Sequence, residues 1–296
     1  MEIRYKPLSP NFGVEINNID CSKKISNSNL SIINKLIQEK HFIYFKDQSL
    51  DEKKLSNFAK NFGKLEAYPE KDKTKKFKQI FNVSNVSPEG IKLEPNDQRV
   101  ILQKNNERWH TDSSYRYIPS YLSFLYGLEV LPPNVKGGET EFSNMLFAYD
   151  NLSKKLKEKF APLHQVHSYN DIRRLEPSMP PLSHEERENF PPVSHPLIRV
   201  HPDRSFKYSL FFTSNTSQEI SGMTLTKGRN LHKWLVKYVS NSKFCYKHKW
   251  KKNDLIIWDN RVLLHRVKSY DYKKYKRVLI RATVAGKNHV LGPYSN

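Results

Sequence analysis

The apolar positions change period repeatedly along the chain, and each change marks an element. Residues 1 to 20 read as two paired strands around the turn Pro10-Asn11-Phe12-Gly13. From Ser28 to Glu39 the period becomes helical, with Leu30, Ile33, Leu36 and Ile37 on one face. His41 to Phe45 is a short apolar run that predicts a buried strand. A second helix is expected with Ser49 as its cap, through Leu55, Phe58, Ala59 and Phe62 to Gly63. Gln79 to Val86 predicts a strand, and the polar, turn-rich stretch from Ser87 to Gln98 a loop.

Further on, Arg108 to Ser114 reads as extended. Tyr121 to Leu131 is a strand closed by Pro132-Pro133 and Gly137-Gly138, and Glu139 to Phe142 resumes as strand. Ala148 to Phe160 has helical spacing. Ala161 to Pro196, rich in Pro, His and charge, is expected to be an irregular insertion or lid. Leu197 to His201 and Lys207 to Phe212 predict a strand pair, and Thr226 to Ser240 a helix. Cys245 to Trp250, Leu255 to Trp258 and Val278 to Val284 predict strands. Many strands with a few helices imply an α+β chain with a mainly β core, a sandwich buttressed by helices. No linker or repeat divides residues 1–296, so one domain is expected.

Composition narrows the function classes. Two cysteines without a CxxC spacing argue against a disulfide framework and against a zinc site. No apolar leader and no run near 18 apolar residues is present, so secretion and membrane spanning are disfavoured and a cytoplasmic location is expected. The net charge of +20 raises a nucleic-acid-associated protein as an alternative. Its source is 36 Lys against 14 Arg, in short scattered runs at 71–78, 247–252 and 273–277. Such runs are read as solvated surface that could steer an anion, with no specific nucleic-acid partner. Assembly into a homo-oligomer stays open.

The chemistry starts at Trp109-His110-Thr111-Asp112. In an extended segment residues i and i+2 share a face, so His110 and Asp112 present an imidazole and a carboxylate together. With one more histidine from a distant strand they would form the facial triad of a non-haem Fe(II) oxygenase, three octahedral positions being left for a chelating co-substrate and O2. His265 follows Trp258-Asp259-Asn260-Arg261 and is preferred to His164, His167, His195, His201 and His248, most of them read as surface or lid residues. Arg277 and Arg281 share one face of a predicted strand and call for anionic partners, which a guanidinium fork grips in two-point fashion.

These motifs resemble the taurine dioxygenase/2,4-dichlorophenoxyacetate dioxygenase family of Fe(II)/2-oxoglutarate-dependent enzymes. The likeness runs nearly end to end. It includes residues 10–16, Phe45-Lys46-Asp47-Gln48, Phe62-Gly63-Lys64-Leu65-Glu66, the stretch from Trp109 to Ser114, Pro132-Pro133 and Gly137 to Phe142. It closes with Trp258 to Arg261 and Arg281-Ala282-Thr283. The wording at 110–114 and 137–142 is nearer the phenoxyacetate branch.

The resemblance implies a double-stranded β-helix (jelly roll, cupin-like) and a hydroxylation driven by Fe(II), 2-oxoglutarate and O2, with succinate and CO2 as coproducts. It implies that His110, Asp112 and His265 hold iron. Thr140 and Arg277 would hold the far carboxylate of 2-oxoglutarate. Arg281 would hold the substrate's anionic group or support the cosubstrate. Tyr68, Asn106 and Ser113, with Asn85, are candidates for the substrate pocket. The substrate is expected to be a small carboxylate or sulfonate, with an amino-acid-derived biosynthetic acid as the alternative. One departure stands out: Arg277 lies 12 residues after His265, one more than the family spacing, which makes Lys276 the competing residue.

Overall fold

The computed structural model describes residues 3–67, 77–174, 179–216 and 218–295. Tyr68 and Pro177 lie outside them. A seven-stranded sheet has the order β1-β2-β3-β12-β5-β14-β4. Its strands are β1 (Tyr5–Ser9), β2 (Phe12–Ile16), β3 (Phe42–Phe45), β4 (Ile80–Ser84), β5 (Leu122–Glu129), β12 (Leu255–Asp259) and β14 (Val278–Val284). All neighbours are antiparallel except β2 and β3.

The central strands read as continuous apolar runs because both faces of this sheet are buried. Ile43, Phe45, Phe124, Tyr126, Leu255, Ile257, Ile280 and Ala282 pack against helices α1 (Asn27–Lys40) and α2 (Glu52–Lys60). The alternate positions Phe42, Leu125, Ile256, Trp258 and Leu279 pack toward a three-stranded sheet, β11-β6-β13. That sheet consists of β6 (Thr140–Asn144), β11 (Cys245–His248) and β13 (Leu263–Val267). Phe142 joins the layers, with ring centroids 4.8 Å from Phe42 and 5.4 Å from Trp258. On β14 the parity that turns Leu279 inward also turns Arg281 inward, and Arg277, immediately before the strand, is buried too.

Several expectations are corrected. The second helix is capped by Asp51, whose carboxylate accepts from Lys54 N at 2.7 Å, and Ser49 lies before it. The expected loop gives way at its end to α3 (Gln98–Asn105), capped by Asp97. Arg108 to Ser114 is not a strand; His110 makes only an isolated bridge to His265. The helix expected over 148–160 is two, α4 (Met145–Asp150) and α5 (Lys154–Phe160), because Ser153 caps the second.

The expected irregular insertion at 161–196 contains β7 (His164–His167), α6 (Tyr169–Arg174), α7 (His184–Asn189) and β8 (Val193–Pro196). β7 pairs antiparallel with β8, a partnership about thirty residues apart that local pattern cannot reveal. The expected strand pair is β9 (Ile198–His201) with β10 (Arg204–Leu210), and the helix after it is α8 (Leu225–Val239). Among the described residues no helix is long and apolar enough to cross a membrane.

His167, His195, His201 and His248 are buried, not surface or lid residues. Burial holds His41 at a pKa of about 4 against the pull of Asp259, and likewise His195 against the carbonyl oxygens of Arg116 and Ser114. Above pH 6.5 both rings are neutral in the folded and the unfolded chain. Between pH 6.5 and 4 only the unfolded chain takes up these protons, so stability falls as pH falls through that window. Each ring contributes on the order of 3 kcal/mol to the loss. Urea midpoints are expected to drop steeply between pH 7 and 4.5, and His195→Gln to flatten the slope. Equal wild-type midpoints at the two pH values would contradict this.

Candidate active site

His110 and His265 are brought together by their backbones. His110 N donates to His265 O at 3.0 Å and His265 N to His110 O at 2.8 Å. The bridge brings the rings together, centroids 4.1 Å apart and planes tilted by 46°. The ligand atoms of His110, Asp112 and His265 all lie within 4.8 Å of one another, and all three residues are buried. His110 Nδ1 donates to the Arg108 carbonyl oxygen at 2.8 Å, which leaves the Nε2 lone pair for a cation. Burial lowers the pKa of His110, and burial with the neighbouring His110 lowers that of His265, so both rings are neutral. Burial raises Asp112, but Arg281, the two histidines and Ser123 outweigh it and hold it at about 2. Two neutral imidazoles and an ionised carboxylate suit a divalent first-row metal. His265 turns Nε2 toward Asp112 Oδ1 at 3.9 Å, and its buried Nδ1 has no hydrogen-bond partner among the described residues.

Ser123, inward on β5, donates to Asp112 Oδ2 at 2.5 Å. Arg281 Nη1 donates to Asp112 Oδ1 at 2.6 Å and its guanidinium lies over the Phe81 ring. The structure therefore already gives Arg281 an acidic partner. The expected anionic partner of Arg281 thus lies within the chain, so the guanidinium does not by itself require an anionic substrate.

Arg277 stands deeper. Its Nε donates to Gly138 O at 3.1 Å, and among the described residues it has no carboxylate partner. Burial lowers its pKa. Lys276 is exposed and donates to Gly90 O, so the inward residue is Arg277. Gly137, at φ 94°, runs so close to Ser269 that a β-carbon would collide with the Ser269 carbonyl oxygen. This tight passage delivers the Gly138 carbonyl to Arg277 and starts β6 at Thr140. Thr140 Oγ1 accepts from Trp250 Nε1 at 3.0 Å.

A narrow inner cavity of about 30 Å³ is lined by Thr140, Arg277, Tyr270, Tyr272, His110 and His265. A larger outer cavity of about 450 Å³ borders His110 and Asp112. Gln103, Asn106, His110 and Arg281 line both. Ser113, at φ 54°, borders the outer cavity and donates to Glu66 at 2.7 Å. Asn85 is fully buried, and its amide holds the backbone of Tyr272, Tyr275 and Arg277 together, a framework role and not a pocket wall.

Sequence reasoning missed Ser123, Gln103, Tyr270 and Tyr272. Tyr270 and Tyr272 stack at 4.0 Å beside Arg277, and only their i, i+2 spacing hinted at a shared face. The serine carried no local signal.

A facial His-Asp-His set between two sheets, with one buried arginine beyond it, defines a non-haem Fe(II) dioxygenase site. The family model for the taurine catabolism dioxygenase TauD, TfdA family matches residues 4–283. The α-ketoglutarate-dependent 2,4-dichlorophenoxyacetate dioxygenase of Burkholderia sp. (strain RASC) is 34% identical over 99% of this chain and 98% of its own. That of Cupriavidus pinatubonensis is 32% identical over 96% and 98%. The crystal structure of AAD-2 in complex with Mn(II) and N-oxalylglycine superposes with a TM-score of 0.87 at 31% identity, over 98% of this chain and 99% of that one. The chain belongs to the TauD/TfdA family, on its phenoxyacetate side. It is an α-ketoglutarate-dependent dioxygenase, with Fe(II) and 2-oxoglutarate as cofactors and O2 as oxidant.

Proposed function

We propose that this dioxygenase hydroxylates a small organic anion, an aryloxyalkanoate or a related carboxylate or sulfonate. The observation that carries the reading is the pair of cavities meeting at the triad, with Arg281 at their junction. His110, Asp112 and His265 would hold Fe(II). Bound iron with 2-oxoglutarate and O2 supplies the oxidising chemistry and yields succinate and CO2. Thr140 and Arg277 would hold the far carboxylate of 2-oxoglutarate in the inner cavity, where a buried guanidinium otherwise lacks an acidic partner. Arg281 would meet the substrate's anionic group or support the cosubstrate, with Ser113 and Asn106 alongside. Phe81, Val86, Pro88, Leu102, Tyr169 and Ile172 offer apolar walls for an aryl group. The last two come from α6, so the 161–196 segment would serve as a cover.

The same reading takes the facing sheets as a double-stranded β-helix, residues 1–296 as one domain, and the cytoplasm as its location. A second reading rests on Asn82, Asn105, Asn215 and Thr216 in the outer wall. These polar side chains favour a hydrogen-bonding acid derived from an amino acid.

The test is succinate release with Fe(II), 2-oxoglutarate and a panel of aryloxyacetates, sulfonates, N-acyl amino acids and their neutral amides. The expected result is stimulation by one anion class and near-background release with its amide. A wild-type preference for the amide would end the anion hypothesis. Arg281→Gln then separates the two arginine roles. If substrate-free 2-oxoglutarate turnover survives while substrate oxidation is lost, Arg281 serves the substrate. Loss of both assigns it to the cosubstrate.

A further inference from the structure

The Trp258-Asn260 pair is part of a sequence motif whose chemistry the triad alone does not use. Trp258 Nε1 lies 2.9 Å from Asn260 Oδ1. An indole N–H can only donate, so the amide atom facing it is the carbonyl oxygen. The Asp112 backbone N–H, also only a donor, approaches the same oxygen at 3.3 Å. Two obligate donors thus settle which way the Asn260 amide points. Its Nδ2 is left to donate to Ser123 Oγ, at 2.8 Å. The serine hydroxyl has one proton, and with its oxygen receiving the amide it must send that proton onward. The acceptor is Asp112 Oδ2 at 2.5 Å. Thr111 Oγ1 donates to the Asn260 backbone carbonyl oxygen at 2.8 Å and ties the two segments again. Trp258, Asn260, Ser123 and Thr111 are all buried, so water does not compete for these bonds.

We propose that Trp258, Asn260 and Ser123 form a positioning relay of fixed hydrogen-bond polarity that makes Asp112 a one-oxygen metal ligand. The relay occupies Oδ2. It leaves a lone pair of Oδ1, which accepts from Arg281 Nη1 at 2.6 Å and lies 3.9 Å from His265 Nε2, turned toward the cation. With only Arg281 holding Oδ1, the carboxylate could bring Oδ2 toward the cation as well, using a position the co-substrate needs. Ser123 and Asn260 act through Asp112; Trp258 also borders the inner cavity, its ring 4.7 Å from that of His265. The inference rests on the reading of His110, Asp112 and His265 as the metal ligands.

The experiment titrates the protein with Mn(II) alone, counting free ion by electron paramagnetic resonance, and records the ligand-field spectrum of the Co(II)-loaded form. Ser123→Ala deletes one oxygen from a strand position. It is expected to weaken Mn(II) binding about ten- to a hundredfold, the usual cost of losing a partner of a ligand. The Co(II) spectrum should change while the melting temperature of the metal-free protein stays near wild type. Ser123→Thr, which keeps the hydroxyl, should restore both readouts. Asn260→Ala should weaken binding in the same direction, with Trp258→Phe in its place if that variant does not fold. A folded Ser123→Ala that binds Mn(II) within twofold of wild type and keeps its spectrum overturns the relay. So does wild-type affinity in the folded Asn260 or Trp258 variant. Asp112→Ala separates the two claims. If it binds Mn(II) like wild type, the ligand reading itself fails; if it loses binding while Ser123→Ala does not, only the relay fails.

Discussion

Asp112→Ala is expected to reduce succinate release by more than the roughly 100-fold that loss of a ligand's supporting partner costs, because it removes a ligand outright. The fold should survive, but not without cost. Asp112 carries two bonds in addition to its role toward a cation: Ser123 on Oδ2 and Arg281 on Oδ1. Removing it takes from the arginine a carboxylate 2.6 Å away. Breaking a fully buried pair costs about 3–5 kcal/mol. The Arg281 side chain is 15% exposed, so a smaller loss is expected here. The double variant Asp112→Ala/Arg281→Gln should recover stability and remain inactive. That pattern, read by thermal melting beside succinate release, separates the ligand's chemistry from its ion pair. Turnover within tenfold of wild type in Asp112→Ala would remove Asp112 from the metal site.

Arg277→Ala should raise the 2-oxoglutarate concentration needed for half-maximal turnover by two to three and a half orders of magnitude. The estimate follows from the roughly 3–5 kcal/mol cost of leaving a buried charge unpaired, at about 1.4 kcal/mol per decade. Arg277→Lys should recover only part of the loss, since an ammonium lacks the planar fork that meets both carboxylate oxygens. Lys276→Ala is the contrast: its ammonium points outward to Gly90, and its removal should leave the requirement unchanged. Equal effects of the Arg277 and Lys276 variants would move the carboxylate elsewhere.

Much of the scaffold was legible because burial dictates residue type. α1, β3 and β12 declare themselves through apolar spacing, and the helices buttressing the large sheet fall where period 3.6 appears. Elements held by distant partners did not. β7 and β8 stabilise each other across the 161–196 segment, so neither half looks like a strand alone. α3 lies at the end of a polar stretch, and it shows only in Asp97 as its cap and in the burial of Val100 and Ile101. His167, His195, His201 and His248 looked like surface residues because imidazole is polar, yet all four are buried, and burial lowers the pKa of the first three.

The sequence by itself determined the chemical inventory: an HxD pair, a later histidine, two arginines four apart, and glycines where the backbone must squeeze past itself. These are local facts, since side-chain type and i, i+2 or i, i+4 spacing need no partner. The tertiary structure brought His265, the histidine already preferred from the sequence, to the pair through a backbone bridge spanning 110 to 265. It also decided that Arg277 and not Lys276 faces inward, and that Arg281 already rests on Asp112. The physical reason is that the orientation of a side chain follows from strand register and burial, and both belong to residues far away in the chain.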